Sequence, residues 1–290
     1  MTESDAAPAA AKGRDARNLL TRIAAALVLA PIAIAACYAD GWLWIALVTM
    51  VAVGLYIEWL MVVGAVGDRR IGISGTVALV AAGAGLAFGR IEAAWLALCL
   101  GLLAVAVVSQ QRRHWTAAGF VYAAAAQMAS ALLRLDSQMG FSALVFVLFI
   151  VWATDIGGYF AGRGIGGPKL WPRVSPKKTW AGAIGGFAAS LAVAAVFAIA
   201  APHRDDPQLA LKIGPLLGLG AALSIVSQLG DLLESAVKRR FGVKDSSHLI
   251  PGHGGLMDRL DGFIAAAVAA VIFGFLRGGV DGAGRALMVW

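Results

Sequence analysis

Charge is what this sequence has least of. Only 14% of its 290 residues are Asp, Glu, Lys or Arg, while 60% are hydrophobic and the mean hydropathy is +0.78. A soluble domain carries about 25% charged residues, so an ordinary cytosolic enzyme is excluded. So much apolar sequence also excludes disorder. Cysteine is scarce too: Cys37 and Cys99 both sit inside apolar runs, which rules out a disulfide scaffold. No cysteine stands near His253 to complete a zinc site. The Walker phosphate-loop spacing G-x-x-x-x-G-K-[ST] is missing. Ser175, Ser235, Ser246 and Ser247 have no His–Asp arrangement that would make one a nucleophile. There is no repeat of fixed period. A polytopic membrane protein remains.

Long apolar runs are what the sequence has in abundance. A membrane-spanning helix needs about 20 mostly apolar residues. About nine runs qualify, near 20–38, 42–63, 71–88, 92–108, 117–133, 141–161, 181–201, 213–234 and 260–276. The expected fold is an all-α transmembrane bundle. The 36 glycines permit close helix packing in lipid. A polar arm over 1–19 precedes the first run, and no convincing cleavage site follows that run, so it is expected to stay as a helix. The remaining divisions are N-terminal spans over 20–140, a catalytic region over 141–276 and a short tail over 277–290.

The placement of Lys and Arg orients the bundle. Lys12, Arg14, Arg17, Arg22, Arg69, Arg70, Arg112, Arg113, Arg163, Lys169, Arg173, Lys177, Lys178, Lys238, Arg239, Arg240, Lys244 and Arg259 fall on one side of the nine spans. Arg90, Arg134, Arg204, Lys212, Arg277 and Arg285 fall on the other, which predicts a cytoplasmic N-terminus and an external C-terminus.

Two connections on the basic side are long: 162–180 (GRGIGGPKLWPRVSPKKTW) and 235–259 (SAVKRRFGVKDSSHLIPGHGGLMDR). Both are rich in Gly, Pro and Ser, which leaves backbone N–H groups free to face a ligand. Carboxylates gather at the same depth: Glu58, Asp155, Asp231, Glu234, Asp258 and Asp261. Ionisable groups within a span are costly, so they mark function by default. For Glu58 and Asp261 a salt bridge to a nearby base is an equally good explanation. Asp231 and Glu234 are three residues apart, as are Asp258 and Asp261, so each pair shares a helix face. Opposed carboxylate pairs suit Mg²⁺, which takes oxygen ligands and keeps positions open for phosphates. Gly252, Gly254 and Gly255 around His253 allow close approach of an anion near a helix start. Together these features imply a Mg²⁺ and polyphosphate site facing the cytoplasm, with a lipid headgroup as second substrate.

Residues 235–261 (SAVKRRFGVKDSSHLIPGHGGLMDRLD) resemble the diagnostic segment of the phosphatidate cytidylyltransferases, also called CDP-diglyceride synthases. The matching positions are Ser235, Lys238, Arg239, Lys244, Asp245, Pro251, His253, Gly254, Gly255, Asp258, Arg259 and Asp261. WATDIGGYFAGR, SPKKTWAG and QLGDLLES upstream also resemble family segments, so the likeness spans roughly 152–262; residues 1–140 share only apolar spans. The resemblance implies CTP and phosphatidate as substrates, CDP-diacylglycerol and pyrophosphate as products, Mg²⁺ dependence and the bacterial inner membrane. On it, Asp231 and Asp258 are expected to hold the metal, with Asp155, Glu234 and Asp261 as further ligands or supports. Lys238, Arg239 and His253 are expected in catalysis. Ser175, Lys177, Lys178, Ser235, Lys244, Gly254, Gly255 and Arg259 are expected to bind substrate.

Two rivals stand beside this reading. A CTP-dependent lipid kinase would release CDP rather than pyrophosphate. An anion transporter would carry polar groups across the midplane to the far side, whereas these carboxylates cluster on one side. No nucleic-acid partner is expected, and a homo-oligomer is left open.

Overall fold

A computed structural model of the chain describes residues 31–39, 41–110, 112–200, 211–247, 254–279 and 282–290. Helix α1 is described over 31–38. It is followed by α2 (Trp42–Val62), α3 (Arg69–Ala87), α4 (Ile91–Val108), α5 (Arg113–Leu135) and α6 (Gly140–Gly164). Then come strands β1 (Lys169–Trp171) and β2 (Ser175–Thr179), α7 (Trp180–Ala200), α8 (Ile213–Arg240), α9 (Met257–Gly278) and α10 (Ala283–Met288). Among the described residues, eight helices, α2 to α9, are long and apolar enough to cross a membrane. They fall on eight of the nine expected runs. Most of the first run lies outside the described residues.

Helix α5 is the most enclosed of the spans. At its middle, Gln127 donates from Nε2 to Thr49 Oγ1 of α2 and to the Leu79 carbonyl of α3, both at 2.9 Å. Trp44 Nε1 donates to the Ser130 carbonyl at 3.0 Å, and Trp59 Nε1 to the Trp115 carbonyl at 2.8 Å. Polar groups inside a bundle must find partners within it, because the lipid offers none. Glycines set the helix spacing. A side chain at Gly83 would meet Thr49, and one at Gly119 would meet Trp59.

Three boundaries depart from expectation. Helix α8 runs to Arg240 rather than ending near 234, and α9 begins at Met257, so the 235–259 connection shrinks to 241–256. Nothing between 235 and 240 breaks a helix. Gly242 does: at φ +71° it lets Val243 N donate back to the Lys238 carbonyl at 3.0 Å and closes the helix end. In 162–180, an antiparallel hairpin interrupts an otherwise helical chain, pairing Lys169 with Thr179 and Trp171 with Ser175. Gly166 and Gly167, at φ +69° and +90°, turn the chain from α6 into it. In the tail, α10 folds back on the bundle: Arg285 N donates to Asp136 Oδ2 at 2.8 Å in the α5–α6 connection.

The contacts divide the connections between two ends. Arg112 donates to the Val63 carbonyl and lies over the Phe241 ring, and Lys178 reaches Asp231, so the α2–α3, α4–α5, hairpin and α8–α9 connections share one end. Asp136 and α10 mark the other.

Candidate active site

Helices α8 and α9 run antiparallel and touch through glycine. A Cβ on Gly230 would lie 2.9 Å from the Asp261 carbonyl oxygen, and one on Gly262 would lie 2.6 Å from Ser227 Oγ. At this separation, carboxylates three residues apart on each helix meet across the seam. Asp231 comes against Asp261, and Glu234 against Asp258. The same-helix pairs seen in the sequence are thus sorted into cross-helix pairs.

Each pair has its own lysine. Lys178, the penultimate residue of β2, forms an ion pair with Asp231. Lys238 is 8% exposed; its Nζ lies 2.7 Å from Glu234 Oε2 and also pairs with Asp258 Oδ1. Asp258 Oδ2 accepts from Ser246 N at 3.0 Å, Ser246 Oγ at 3.0 Å and Gly255 N at 2.9 Å. Gly254 has φ +82°, and a Cβ there would fall 3.1 Å from Asp258 Oδ2, so glycine suits the position on both counts.

Asp231 opens onto a cavity of about 560 Å³. Helix α6 contributes Asp155, Tyr159 and Arg163 to its wall, the hairpin Lys177 and Lys178, α7 Gly182 and Ala183, and α8 Gln228. Asp155 is in electrostatic contact with Asp231, Lys178 and Arg259. Gly158 and Gly162 on α6 face Gly182 on α7, which brings these backbones together beneath the hairpin. Thr179 Oγ1 accepts from Gly182 N at 3.1 Å and tethers the start of α7 to the hairpin's second strand.

The expected residues therefore divide. Asp155, Lys177, Lys178 and Asp231 share the cavity, with Asp261 behind Asp231. Glu234, Lys238, Asp258, Gly254 and Gly255 form a second group around the start of α9. Arg239 is exposed and donates to the Val243 carbonyl at 3.0 Å. Lys244 and Arg259 are exposed, and Ser175 and Ser235 are half-buried. His253 lies outside the described residues. Several contributors were not singled out from the sequence. Thr154, Arg163 and Gln228 line the cavity. Tyr122 of α5 turns a buried hydroxyl toward Glu58, Glu234, Asp258 and Asp261. A polar residue inside an apolar run was the available signal for Gln228 and Thr154.

The site admits a divalent cation in one place better than another. Among the described residues, no three Asp, Glu, His or Cys side chains converge on one point. Mg²⁺ is commonly held by one or two carboxylates together with substrate phosphates. Asp231 on the open cavity, with Asp261 behind it, fits that pattern. Asp258 fits it less well, because Lys238, Ser246 and Gly255 already take both of its oxygens.

Residues 20–276 match the profile of the Cytidylyltransferase family. The chain belongs to that family. A protein named phosphatidate cytidylyltransferase from Brucella suis biovar 1 (strain 1330) is 40% identical over 262 residues, covering 89% of this chain and 93% of its own. Proteins of the same name from Bacillus subtilis (strain 168) and Haemophilus influenzae are 42% and 46% identical over 132 and 133 residues, slightly under half of each chain. Membership makes the bundle a membrane-embedded nucleotidyltransferase.

Proposed function

We propose that the chain transfers the cytidylyl group of CTP to phosphatidate, forming CDP-diacylglycerol and releasing pyrophosphate. The reaction would run at the cytoplasmic face of a bacterial inner membrane. The observation that carries this reading is the position of Asp231 and Lys178, with Asp261 behind Asp231, at a cavity walled by three membrane-spanning helices and the hairpin. A nucleotide from water and a phosphate on a membrane lipid can meet there.

Little covalent help is required from the protein. Phosphatidate presents a phosphomonoester that is already largely ionised, so its oxygen needs no strong base. That oxygen attacks the α-phosphorus of CTP in line, and pyrophosphate leaves. The protein's share is orientation and charge neutralisation. Lys177 and Lys178 present ammonium groups on the cavity wall where the triphosphate would lie. Releasing Lys178 from Asp231 would offer one cation to phosphate and one carboxylate to metal. Mg²⁺ held by Asp231 and Asp261 would neutralise the charge on phosphate oxygens. Arg163, held by its Nη1 donation to Tyr159 OH at 2.9 Å, supplies a further cation at the rim.

The test uses purified full-length protein in detergent with phosphatidate and CTP labelled at the α- or the γ-phosphate. Label from the α position should enter the lipid, and label from the γ position should leave in pyrophosphate. Transfer of γ label to the lipid would identify a lipid kinase instead. Chelation of Mg²⁺ should stop the reaction and its return restore it; full activity in excess chelator would refute the metal assignment.

A further inference from the structure

Glu58 belongs to α2, far in sequence from the segment that defines the site. It is 2% exposed and lies one turn from the helix end that faces the 241–256 connection. A carboxylate buried in a membrane span needs compensation. Among the described residues no Lys or Arg pairs with it. Hydrogen bonds compensate instead. Glu58 Oε1 accepts from Ser247 Oγ at 2.6 Å and Leu256 N at 2.8 Å; Oε2 accepts from Met257 N at 2.7 Å and Ser246 Oγ at 3.0 Å. Two of these donors are backbone N–H groups at the start of α9, which have no partner within their own helix. Here they are satisfied by a side chain from another span, where the helix dipole also favours negative charge.

Ser246 ties this carboxylate to the site. Its Oγ lies 3.0 Å from Glu58 Oε2 and 3.0 Å from Asp258 Oδ2, with one hydrogen to share. Asp258 in turn holds Lys238. Gly255 sits where the two carboxylates converge: a Cβ there would collide with Ser246 Oγ and come within 2.7 Å of Glu58 Oε2.

We propose that Glu58 is a positioning residue for nucleotide binding: it holds Ser246, Ser247 and the start of α9 against α2, and α9 carries both Asp258, reached through Ser246, and Asp261, which stands behind Asp231 at the cavity. The proposal rests on the cytidylyl transfer argued above. The N-terminal spans then do more than surround the catalytic half, because one of them clamps the connection that carries the family segment.

The experiment compares wild type, Glu58→Gln, Ser246→Ala and the double variant as purified full-length protein. Thermal midpoints are measured first, then kcat and KM with CTP and phosphatidate varied separately. Glutamine keeps the shape of Glu58 but replaces one acceptor oxygen with a donor, so it cannot serve four donors. Glu58→Gln should lower kcat/KM for CTP at least tenfold while KM for phosphatidate changes less than twofold. The double variant should be no more than twofold worse than Glu58→Gln, because both changes cut one connection. Wild-type kinetics in Glu58→Gln, effects that multiply, or a loss that merely follows the folded fraction would each overturn the proposal. Should Glu58→Gln not fold, Ser246→Ala decides, since it leaves three donors on Glu58: a tenfold loss for CTP supports the link and wild-type kinetics refute it. A wild-type protein that forms no CDP-diacylglycerol would instead refute the functional reading before any variant is compared.

Discussion

Lys238 and Lys178 look alike in sequence, each a base beside a Gly-, Pro- or Ser-rich connection, yet they do different work. Lys238 is buried between carboxylates of two helices. Replacing it with Met would leave Glu234 and Asp258 facing each other without a cation. Breaking a buried ion pair from one side costs about 3–5 kcal/mol. Lys238→Met should therefore lower the thermal midpoint clearly, and adding Glu234→Gln should recover part of the loss. A midpoint equal to wild type would show that the ammonium is not structural. The same contrast separates the aspartates. Asp231→Asn should cut kcat a hundredfold or more, about 2.7 kcal/mol at the transition state, with the thermal midpoint near wild type. Asp258→Asn should lower the midpoint as well, because its carboxylate gathers Lys238, Ser246 and Gly255. Equal thermal stability in the two variants would contradict this division.

Glycine governs the helices as elements. Gly158 and Gly162 on α6 oppose Gly182 on α7, with a Cβ on Gly182 lying 2.9 Å from the Gly158 carbonyl oxygen. Backbone cannot step aside as a side chain can, so even Gly182→Ala should force the helices apart, at about 1–3 kcal/mol. Because Gly182 lines the cavity, kcat/KM should fall along with stability. Gly164, at the end of the same α6, has open space around it, and Gly164→Ala should be neutral in both measurements. A neutral Gly182→Ala would mean that the α6–α7 contact does not shape the cavity. Much of this level was legible in the sequence. Apolar runs located the described spans to within a few residues, since lipid thickness fixes their length. The ends of α8 and α9 were less legible, because 235–240 and 257–259 are polar but carry no helix breaker. The cross-helix pairing of Asp231 with Asp261 was not legible either, since spacing shows which residues share a face but not what faces it. Glu58 was visible as an anomaly within a span. The sequence suggested a basic partner for it, whereas backbone N–H groups and serines 188 to 199 residues away surround it.

The whole molecule has two chemically different ends, and the contacts within each end agree with the charge pattern along the chain. Arg112 reaches Val63 and Phe241, and Lys178 reaches Asp231, so four connections rich in Lys and Arg are drawn to one end. At the other end Asp136 Oδ1 accepts from Gln138 N and Met139 N, at 3.0 and 2.8 Å, while its Oδ2 receives Arg285 N of α10. The side chain of Arg277 then stacks on Trp290 at 3.6 Å and donates to the Ala286 and Val289 carbonyls, holding the final residues against the bundle. The C-terminus thus lies at the end opposite the hairpin, whichever way the bundle is inserted. On the excess of Lys and Arg at the hairpin end, we propose that this end faces the cytoplasm. The prediction is read with single cysteines in a background in which Cys37 and Cys99 are replaced. Ser137→Cys, exposed in the α5–α6 connection, should react in intact cells with a maleimide that cannot cross the membrane. Arg173→Cys, exposed at the tip of the hairpin, should react only after the membrane is opened. The reverse pattern would place the cavity on the external face, away from CTP, and would remove the cytidylyl-transfer reading together with the orientation. Labelling of both positions in intact cells would break the link between the hairpin and the inner face.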